Sequence, residues 1–323
     1  MSAPSQPRAI TSAQCTRTVL MIRPATFYSD PETSATNAFQ HVSDADPATT
    51  LEAVRREFDA AVAALEAAGV AVIVVDADPG ADTPDAIFPN NWFSTHSDGR
   101  IVIYPMATPG RRRERRRDIF HHVAAGHGCN VTGTLDLTGL EDRGLFVEGT
   151  GSLVFDRDAR LAYAALSQRT HQQAVVFACA ALGYEPVSFQ AHDQEGREIY
   201  HTNVMMSVGP TLAVLASSFL KSGADLRRVF DALERTNKAR LDISADQVAN
   251  FAGNVLFVDS AAGPSVVLSQ RAWKSLAKPQ RRVLEQHALP ILCGVETIEH
   301  IGGGGIRCML AELFLPLTNI ARL

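Results

Sequence analysis

The stretch NVMMSVGPTLAVLAS (residues 203–217) decides the fold, because variants of it recur along the chain. It has two β-prone runs around a Gly-Pro turn, which is the sequence signal of a β-hairpin. Three other stretches share this pattern: NWFSTHSDGRIVIYPM (91–106), SLVFDRDARLAYAALS (152–167) and NVLFVDSAAGPSVVLS (254–269). In chain order the four begin 61, 51 and 51 residues apart, and such a near-constant spacing indicates an internal repeat.

The segments after each hairpin repeat as well. Apolar residues at three- and four-residue spacing predict helices, which are followed by short β-prone runs. The predicted helices cover 112–126, 170–183, 223–236 and 270–288, and the strands cover 129–137, 184–191, 239–245 and 291–299. One more helix and strand, 49–69 and 71–77, follow an early strand at 18–25. The run MLAELFLP (309–316) is the candidate partner for that early strand.

Five units of this kind, one of them completed by both chain ends, predict a closed, propeller-like α/β architecture. The alternative is a two-domain α+β protein in which the regular spacing is accidental. Residues 1–16 are rich in Ser, Ala, Pro and Gln and are expected to form a disordered lead-in. Residues 17–323 are then expected to form a single domain.

Composition narrows the class of protein. Of the 323 residues, 46% are hydrophobic and 20% are charged, and the net charge of −5 argues against general nucleic-acid affinity. The chain has neither a signal-peptide pattern at its start nor the roughly 18 consecutive apolar residues of a membrane span. Its five cysteines are an odd number without paired spacing, which favours free thiols in a reducing compartment. We therefore expect a soluble, cytoplasmic protein.

If the units are equivalent, the starts of their first strands point toward one axis. Those starts contain Asn90, Asn91, Glu148, His201, Asn203, Asn254 and the segment Gly305 to Cys308. A cysteine with a histidine and a carboxylate is suited to nucleophilic catalysis, in which the thiolate attacks and the imidazole moves protons. The pattern thus indicates a site assembled from distant parts of the chain.

Each of these residues also has a structural interpretation. Glu148 could be a solvated acid at a strand end, and His201 a half-buried histidine with its hydrogen bonds satisfied. Asn91 and Asn254 could simply form turns, since asparagine favours them, and this is the preferred interpretation for Asn254. The four glycines before Cys308 could be a flexible turn, and the cysteine a small core residue.

Several motifs together resemble one known superfamily. They are DAIFPNNWF (85–93), FVEGTGSLVFDR (146–157), ALSQRT (165–170), YHTN (200–203) and GGGGIRCM (302–309). The chain resembles the guanidino-group-modifying superfamily, the penteins, from about residue 18 to its end. That group includes arginine deiminases, dimethylarginine dimethylaminohydrolases, succinylarginine dihydrolase and amidinotransferases. The segment MIRPATFYSDPETSATNAFQ (21–40) resembles the branch related to citrulline-utilisation hydrolases.

The resemblance implies a fivefold pseudo-symmetric α/β propeller of ββαβ units and assigns roles to residues. It makes Cys308 the nucleophile, His201 the general acid/base and Glu148 its acidic partner. By the same resemblance Arg169 grips the substrate α-carboxylate, a physically reasonable anchor for an amino acid. The expected substrate-binding residues are Asp85, Asn90, Asn91, Arg169, Asn203 and Gly305. No cofactor or metal is implied.

The chain departs from the arginine-processing relatives at two places. It has Asn91 at the end of the Phe88 segment and Asn203 after His201, where those relatives commonly have aspartates facing the guanidinium. Amides suit a neutral ureido group, so the exchange predicts a preference for citrulline-like over arginine-like substrates. The predicted reaction is cysteine-dependent hydrolysis at a ureido or guanidino carbon. The alternatives are an amidinotransferase with the same residues and an inactive propeller that only binds.

Other motifs receive weaker interpretations. The arginine-rich run 111–117 could bind nucleic acid, but it opens a predicted helix and is more typical of a solvated or ion-paired face; one of its arginines could reach the substrate. His121, His122, His127 and Cys129 match no zinc signature. The glycine run lacks a phosphate-loop context and is not expected to precede a helix. The expected partner is a small guanidino or ureido amino acid, not nucleic acid or a membrane, and homo-oligomerisation is left open.

Overall fold

The computed structural model describes residues 14–317 of the chain. Residues 1–13 of the predicted lead-in therefore lie outside the described residues. Its last three residues, Gln14 to Thr16, are buried in the fold. The Gln14 side chain donates hydrogen bonds to the carbonyls of Phe155 and Val208, 2.9 and 3.1 Å away. The ordered chain thus begins at least three residues before the predicted boundary.

The strands are short, and within residues 14–317 they form five three-stranded sheets. They are β1 (Thr18–Arg23), β2 (Ala71–Asp76), β3 (Phe93–Thr95), β4 (Arg100–Ile103), β5 (Gly133–Asp136), β6 (Val154–Asp156), β7 (Leu161–Leu166), β8 (Glu185–Gln190), β9 (Met206–Val208), β10 (Leu212–Leu215), β11 (Ala239–Asp242), β12 (Leu256–Ser260), β13 (Gly263–Ser269), β14 (Leu289–Cys293) and β15 (Ala311–Glu312).

Helices connect and surround these sheets. The α-helices are α1 (Pro31–Ser34), α2 (Pro47–Ala67), α3 (Pro109–Arg112), α4 (Asp118–His127), α5 (Gly149–Ser152), α6 (Gln172–Leu182), α7 (Gly223–Arg235), α8 (Ala245–Ala249), α9 (Gln270–Ser275), α10 (Lys278–His287), α11 (Glu296–Gly302) and α12 (Ile306–Met309). Short 3₁₀ turns cover Pro84–Ile87, Pro89–Asn91, Thr138–Arg143, Thr202–Val204 and Ser217–Phe219. None of the helices in the described part of the chain has the length and apolar character that a bilayer crossing requires.

Every sheet has the same topology. Its central strand pairs antiparallel with the strand of its own hairpin and parallel with the strand that follows the helix, as in β9–β10–β11. In the sheet built from both chain ends, β15 pairs antiparallel with β1, with Val19 opposite Glu312, and β1 pairs parallel with β2. The predicted α/β fold of five ββαβ units, with the run after Cys308 completing one of them, is confirmed.

Two predicted helices are each divided into two. The predicted helix 270–288 breaks between α9 and α10, where Leu276 and Ala277 are extended. Pro279 explains this break, because proline has no N–H with which to bond the carbonyl four residues earlier in a continuous helix. The predicted helix 112–126 is replaced by the one-turn helix α3 and by α4. The predicted strand 291–299 ends at Cys293, and helix α11 takes up the remainder.

A single helical turn precedes the first strand of four units. These turns are Pro89–Asn91 before β3, α5 before β6, Thr202–Val204 before β9 and α12 before β15, and a non-helical turn precedes β12. The α5 turn packs against the two 3₁₀ turns, and α12 packs against Pro89–Asn91. The repeat therefore brings together five chain segments that are far apart in sequence.

Candidate active site

The first component of the site is a buried histidine–carboxylate pair. Glu148 immediately precedes α5 and His201 precedes the Thr202–Val204 turn, and both side chains are at most 3% exposed. The His201 Nε2 lies 2.8 Å from a Glu148 carboxylate oxygen, and the backbone N–H of Ala107 donates to the other oxygen at 2.9 Å. An ionised carboxylate only accepts hydrogen bonds, so Nε2 carries the proton. In the neutral ring Nδ1 is therefore a free acceptor, able to take a proton.

The charges of this pair follow from its surroundings. Burial alone would raise the pKa of Glu148, but the hydrogen bond from His201 and the nearby Arg169 charge lower it to about 2. Burial lowers the pKa of His201, against the opposing effect of Glu148. The pair at neutral pH is thus a carboxylate and a neutral imidazole.

The second component is the thiol of Cys308, on α12. The side-chain amides of Asn203 and Asn254 donate to its sulfur from 3.4 and 3.3 Å. Burial raises the pKa of this thiol, while the Asn254 hydrogen bond, the Arg307 charge and the Asn203 hydrogen bond lower it. The sequence favoured only a turn role for Asn254, and the contact with the thiol adds a second role. The expectation that no helix follows the glycine run is wrong, since α12 begins at Ile306.

The third component is a set of buried polar atoms that have no hydrogen-bond partner within residues 14–317. Four are acceptors and one is a donor: Asp85 Oδ1, Asn90 Oδ1, Asn203 Oδ1, Asn254 Oδ1 and Asn91 Nδ2. Neighbouring groups determine two of the amide orientations. The Asn91 Oδ1 accepts from Arg111, so its Nδ2 is the free atom. Asn254 donates to the Asn203 carbonyl, so its Oδ1 is free. Buried orphan atoms of this kind are rare and indicate a binding site.

One residue of the arginine-rich run reaches this site. Arg111 is 2% exposed and donates to Asn91 at 2.7 Å, and it also forms a two-point pair with the Glu114 carboxylate at 2.9 Å. Its Nε lies 3.8 Å from Asp85. Four of the five arginines that follow form ion pairs with nearby acids: Arg112 and Arg115 with Glu141, Arg116 with Asp118 and Arg117 with Asp136. The ion-paired interpretation of this run thus describes those four arginines.

Arg169 is close to the site but its donors are largely occupied. Its guanidinium donates to the Thr36 hydroxyl at 2.9 Å and to the Thr33 carbonyl at 2.8 Å, and it lies 3.8 Å from Glu148. Both threonines belong to the loop 24–46, which contains α1. Arg169 therefore joins this loop to the Glu148 carboxylate, and its role in gripping a substrate carboxylate stays a prediction.

The same loop explains most of the glycine run. A Cβ on Gly302 or Gly304 would come within 3.0 Å of the Phe88 ring. Gly303 has a φ of +62°, and a Cβ there would lie 2.7 Å from the backbone nitrogen of Gln40. Only Gly305 faces the site, where a Cβ would lie 2.7 Å from the Asn254 amide oxygen. The first three glycines thus serve packing against the loop and against Phe88.

The site is enclosed, since Cys308 is 5% and His201 2% exposed. A cleft of about 720 Å³ lies on the outer side of the loop, with Arg169, Tyr200 and Phe251 in its wall. Sequence reasoning missed Glu114 and the two threonines of the loop. The spacing Arg-x-x-Glu from residue 111 to 114 was the available signal for Glu114, because residues three apart on a helical turn are neighbours.

Comparison with known structures supports the same fold. The N-terminal domain of ArgZ, an arginine dihydrolase from cyanobacteria solved with its substrate, is 16% identical with a TM-score of 0.71, covering 93% of this chain and 99% of that one. AgrE with L-arginine is 16% identical with a TM-score of 0.70, over 94% of this chain and 41% of AgrE. The dimethylarginine hydrolase (DDAH) of Pseudomonas aeruginosa with citrulline is 14% identical with a TM-score of 0.64, over 93% and 100%. A search of curated proteins found no match.

The family profile described as "N,N dimethylarginine dimethylhydrolase, eukaryotic" matches residues 23–315, which is most of the chain. This match confirms the predicted superfamily and the predicted enzyme class, a cysteine-dependent C–N hydrolase of arginine-like guanidino compounds. The individual site residues stay predictions, supported by the geometry described above. The chain belongs to the N,N-dimethylarginine dimethylhydrolase family.

Proposed function

We propose that Cys308 attacks the guanidino carbon of an arginine-like amino acid and that His201 carries the protons of the reaction. The observation that supports this most is the convergence on one buried site of a thiol with two amide donors and a histidine held by Glu148. Small-molecule guanidino amino acids are the substrates proposed, as in the neighbour solved with L-arginine.

In the first step the Cys308 thiol gives its proton to the free Nδ1 of His201, and the thiolate forms an S–C bond to the guanidino carbon. The tetrahedral adduct expels ammonia or an alkylamine, which takes up the proton from the imidazole. Water then adds to the S-bound carbon while His201 accepts its proton, and breaking the S–C bond releases the ureido product and restores the thiol. Asn203 and Asn254 stabilise the thiolate at both ends of this cycle.

The charges in the site favour a cationic head group. Burial raises the pKa of Asp85, and it raises the pKa of Glu114 to about 7 although Arg111 opposes this. Together with ionised Glu148, three carboxyl groups share the site with the two guanidinium groups of Arg111 and Arg169. A bound guanidinium would favour the ionised form of Asp85 and Glu114 and would also lower the pKa of the attacking thiol. A neutral ureido group would do neither.

A ureido substrate is the second candidate, and one atom favours it. The free Asn91 Nδ2 is a donor, and a guanidinium has only donors to offer it, whereas a ureido group has a carbonyl oxygen. The preference for citrulline-like substrates that the amides predict therefore stays a prediction. The ratio of the rates on the two head groups decides between the candidates.

The test is ammonia or amine release from arginine, N,N-dimethylarginine and citrulline, with ureido product and ornithine measured in the same samples. We expect kcat/KM to be at least about tenfold higher on a guanidino substrate than on citrulline. A neutral ureido group would leave the charge of the buried carboxylates uncompensated, which is costly. Cys308→Ser should abolish turnover, whereas Cys293→Ser, a control at another buried thiol, should retain it. Full activity of the Cys308→Ser enzyme would refute the proposed nucleophile. A higher kcat/KM on citrulline would favour the ureido candidate.

We also infer that the protein works in a reducing compartment such as the cytoplasm, and that the expected single domain, residues 17–323, includes Gln14 to Thr16 as well. The support is that all five cysteines are free thiols. Mass spectrometry of the protein purified under non-reducing conditions should therefore find five alkylatable cysteines after unfolding.

A further inference from the structure

A second polar cavity lies at the other ends of the first strands. The catalytic turns precede β3, β6 and β15, whereas this cavity is lined by residues that follow them: His96 after β3, Arg157 after β6 and Phe314 after β15. Its volume is about 150 Å³. Arg100 and Arg160 also contribute to its wall. The cavity is therefore separate from the Cys308 site, at the far side of the same strands.

Arg157 is the unusual residue in this cavity. It is 3% exposed, and its guanidinium carbon lies 3.8 Å above the Phe314 ring. Its Nη2 is fully buried and has no hydrogen-bond partner within residues 14–317. The nearest acid, Glu312, is 3.7 Å away and is itself bound by Arg307 at 3.0 Å. A buried guanidinium nitrogen without a hydrogen bond is costly, so an anionic partner in the cavity would stabilise it.

The other groups around the cavity add donors. Arg160 is exposed, and its guanidinium carbon stacks 4.5 Å from the centre of the Tyr184 ring. Its Nη2 donates a hydrogen bond to the Leu182 carbonyl at 3.1 Å. Arg100 is paired with Asp98 at 2.7 Å. Three arginines thus face the cavity with one carboxylate among the residues that line it. The surplus positive charge favours an anion.

His96 completes the set as a neutral donor. Burial and the neighbouring Arg157 charge lower the pKa of His96 to about 3, so the ring is uncharged. Its Nε2 lies 2.9 Å from the Ser94 hydroxyl, which lies 2.8 Å from the buried Tyr104 hydroxyl. If Tyr104 donates to Ser94 and Ser94 donates to Nε2, the ring proton is on Nδ1. That N–H is then available as a donor.

We propose that this cavity binds a small inorganic oxyanion, held by Arg157 at its floor, by Arg160 at its mouth and by His96. Planar guanidinium groups match tetrahedral oxyanions through two-point hydrogen bonds. The volume equals the liquid share of about five water molecules, which admits phosphate or sulfate and excludes a nucleotide. Binding would tie together the ends of three strands from three different units, and it would therefore act on stability rather than directly on the reacting atoms.

The experiment is titration of the full-length protein with sodium phosphate, with sodium chloride at matched ionic strength and with adenosine monophosphate, by calorimetry and by thermal melting. We expect saturable binding of phosphate alone, with the melting temperature rising by about 3 °C at ten times the dissociation constant. The variant Arg160→Gln, at an exposed position, should weaken binding about tenfold or more. Arg157→Lys keeps the positive charge beside Glu312 but loses the planar guanidinium that makes two-point hydrogen bonds. This variant should therefore weaken phosphate binding as well.

Arg240→Gln is the matched control, because Arg240 is also exposed and stacked on a ring, that of Phe230 at 4.0 Å, far from the cavity in sequence. It should bind phosphate like the wild type. The proposal is overturned if phosphate shows no saturable binding, or if Arg160→Gln binds it as tightly as the wild type. Equal binding of adenosine monophosphate would also overturn it, because the cavity is too small for a nucleoside.

Discussion

Replacement of Asn254 by alanine tests how the site activates its thiol. Asn254 donates to Cys308 at 3.3 Å and to the Asn203 carbonyl at 3.1 Å. A hydrogen bond to a charged group contributes about 1.5–3 kcal/mol, and one pKa unit corresponds to about 1.4 kcal/mol. Because the sulfur is a weak acceptor, we take the lower value. The variant should then raise the pKa of Cys308 by about one unit.

The assay is the rate at which iodoacetamide alkylates Cys308 between pH 7 and pH 10, followed by mass spectrometry of its peptide. Below the thiol pKa the rate follows the thiolate population, so Asn254→Ala should react about tenfold more slowly at each pH. The value of kcat/KM should fall by a similar factor. The other four cysteines provide internal references in the same sample.

Asn250→Ala is the control for this experiment. Asn250 lies four residues earlier and bonds to the Asp246 carbonyl and to Arg271 rather than to the thiol. It should leave the alkylation rate of Cys308 unchanged. The proposed stabilisation of the thiolate is refuted if Asn254→Ala alkylates at the wild-type rate while its melting temperature stays within a few degrees of the wild type.

Three further predictions concern Glu148 and two glycines. The pKa of Glu148 is lowered to about 2 in the folded protein, so its stabilising contribution is complete above about pH 4.5 and is lost as the pH falls to 2. The free energy of unfolding of the wild type, measured with urea, should fall over that interval by about 3 kcal/mol more than that of Glu148→Gln. Gly151→Ala would place a Cβ 2.3 Å from the Asn91 amide nitrogen and 2.8 Å from the catalytic imidazole, so kcat/KM should fall at least about 100-fold. Gly139→Ala, with no atom within 4 Å of its Cβ, should be fully active; equal activity of the two variants would contradict the close approach. Gly303→Ala combines a φ of +62° with contact against the loop 24–46, so its melting temperature should fall by several degrees, and an unchanged value would show that this loop adapts without cost.

Only some residues of the site could be predicted from local sequence patterns. The hairpins could be predicted because their strands are neighbours in sequence, and the constant spacing then placed Glu148, His201 and Cys308 at equivalent turns. Arg111 could not be chosen among the arginines of its run. The six arginines of the run carry the same charge, and only the packing of the one-turn helix α3 buries Arg111 against Asn91.

Some features of the protein follow from the sequence alone, whereas the contacts of the glycines and of Asn254 follow only from the tertiary structure. The sequence by itself determined the hairpin, helix and strand repeat, because alternating and turn-forming residues act over short distances. The repeat count then indicated that the two chain ends complete one unit, and the quoted motifs carried the resemblance to the superfamily. Only the tertiary structure decided that Asn254 donates to the thiol, that Arg169 holds the loop 24–46 and that Gly303 contacts that loop. These contacts join residues separated by 54, 133 and 266 positions, and only the assembled fold brings such distant residues into contact.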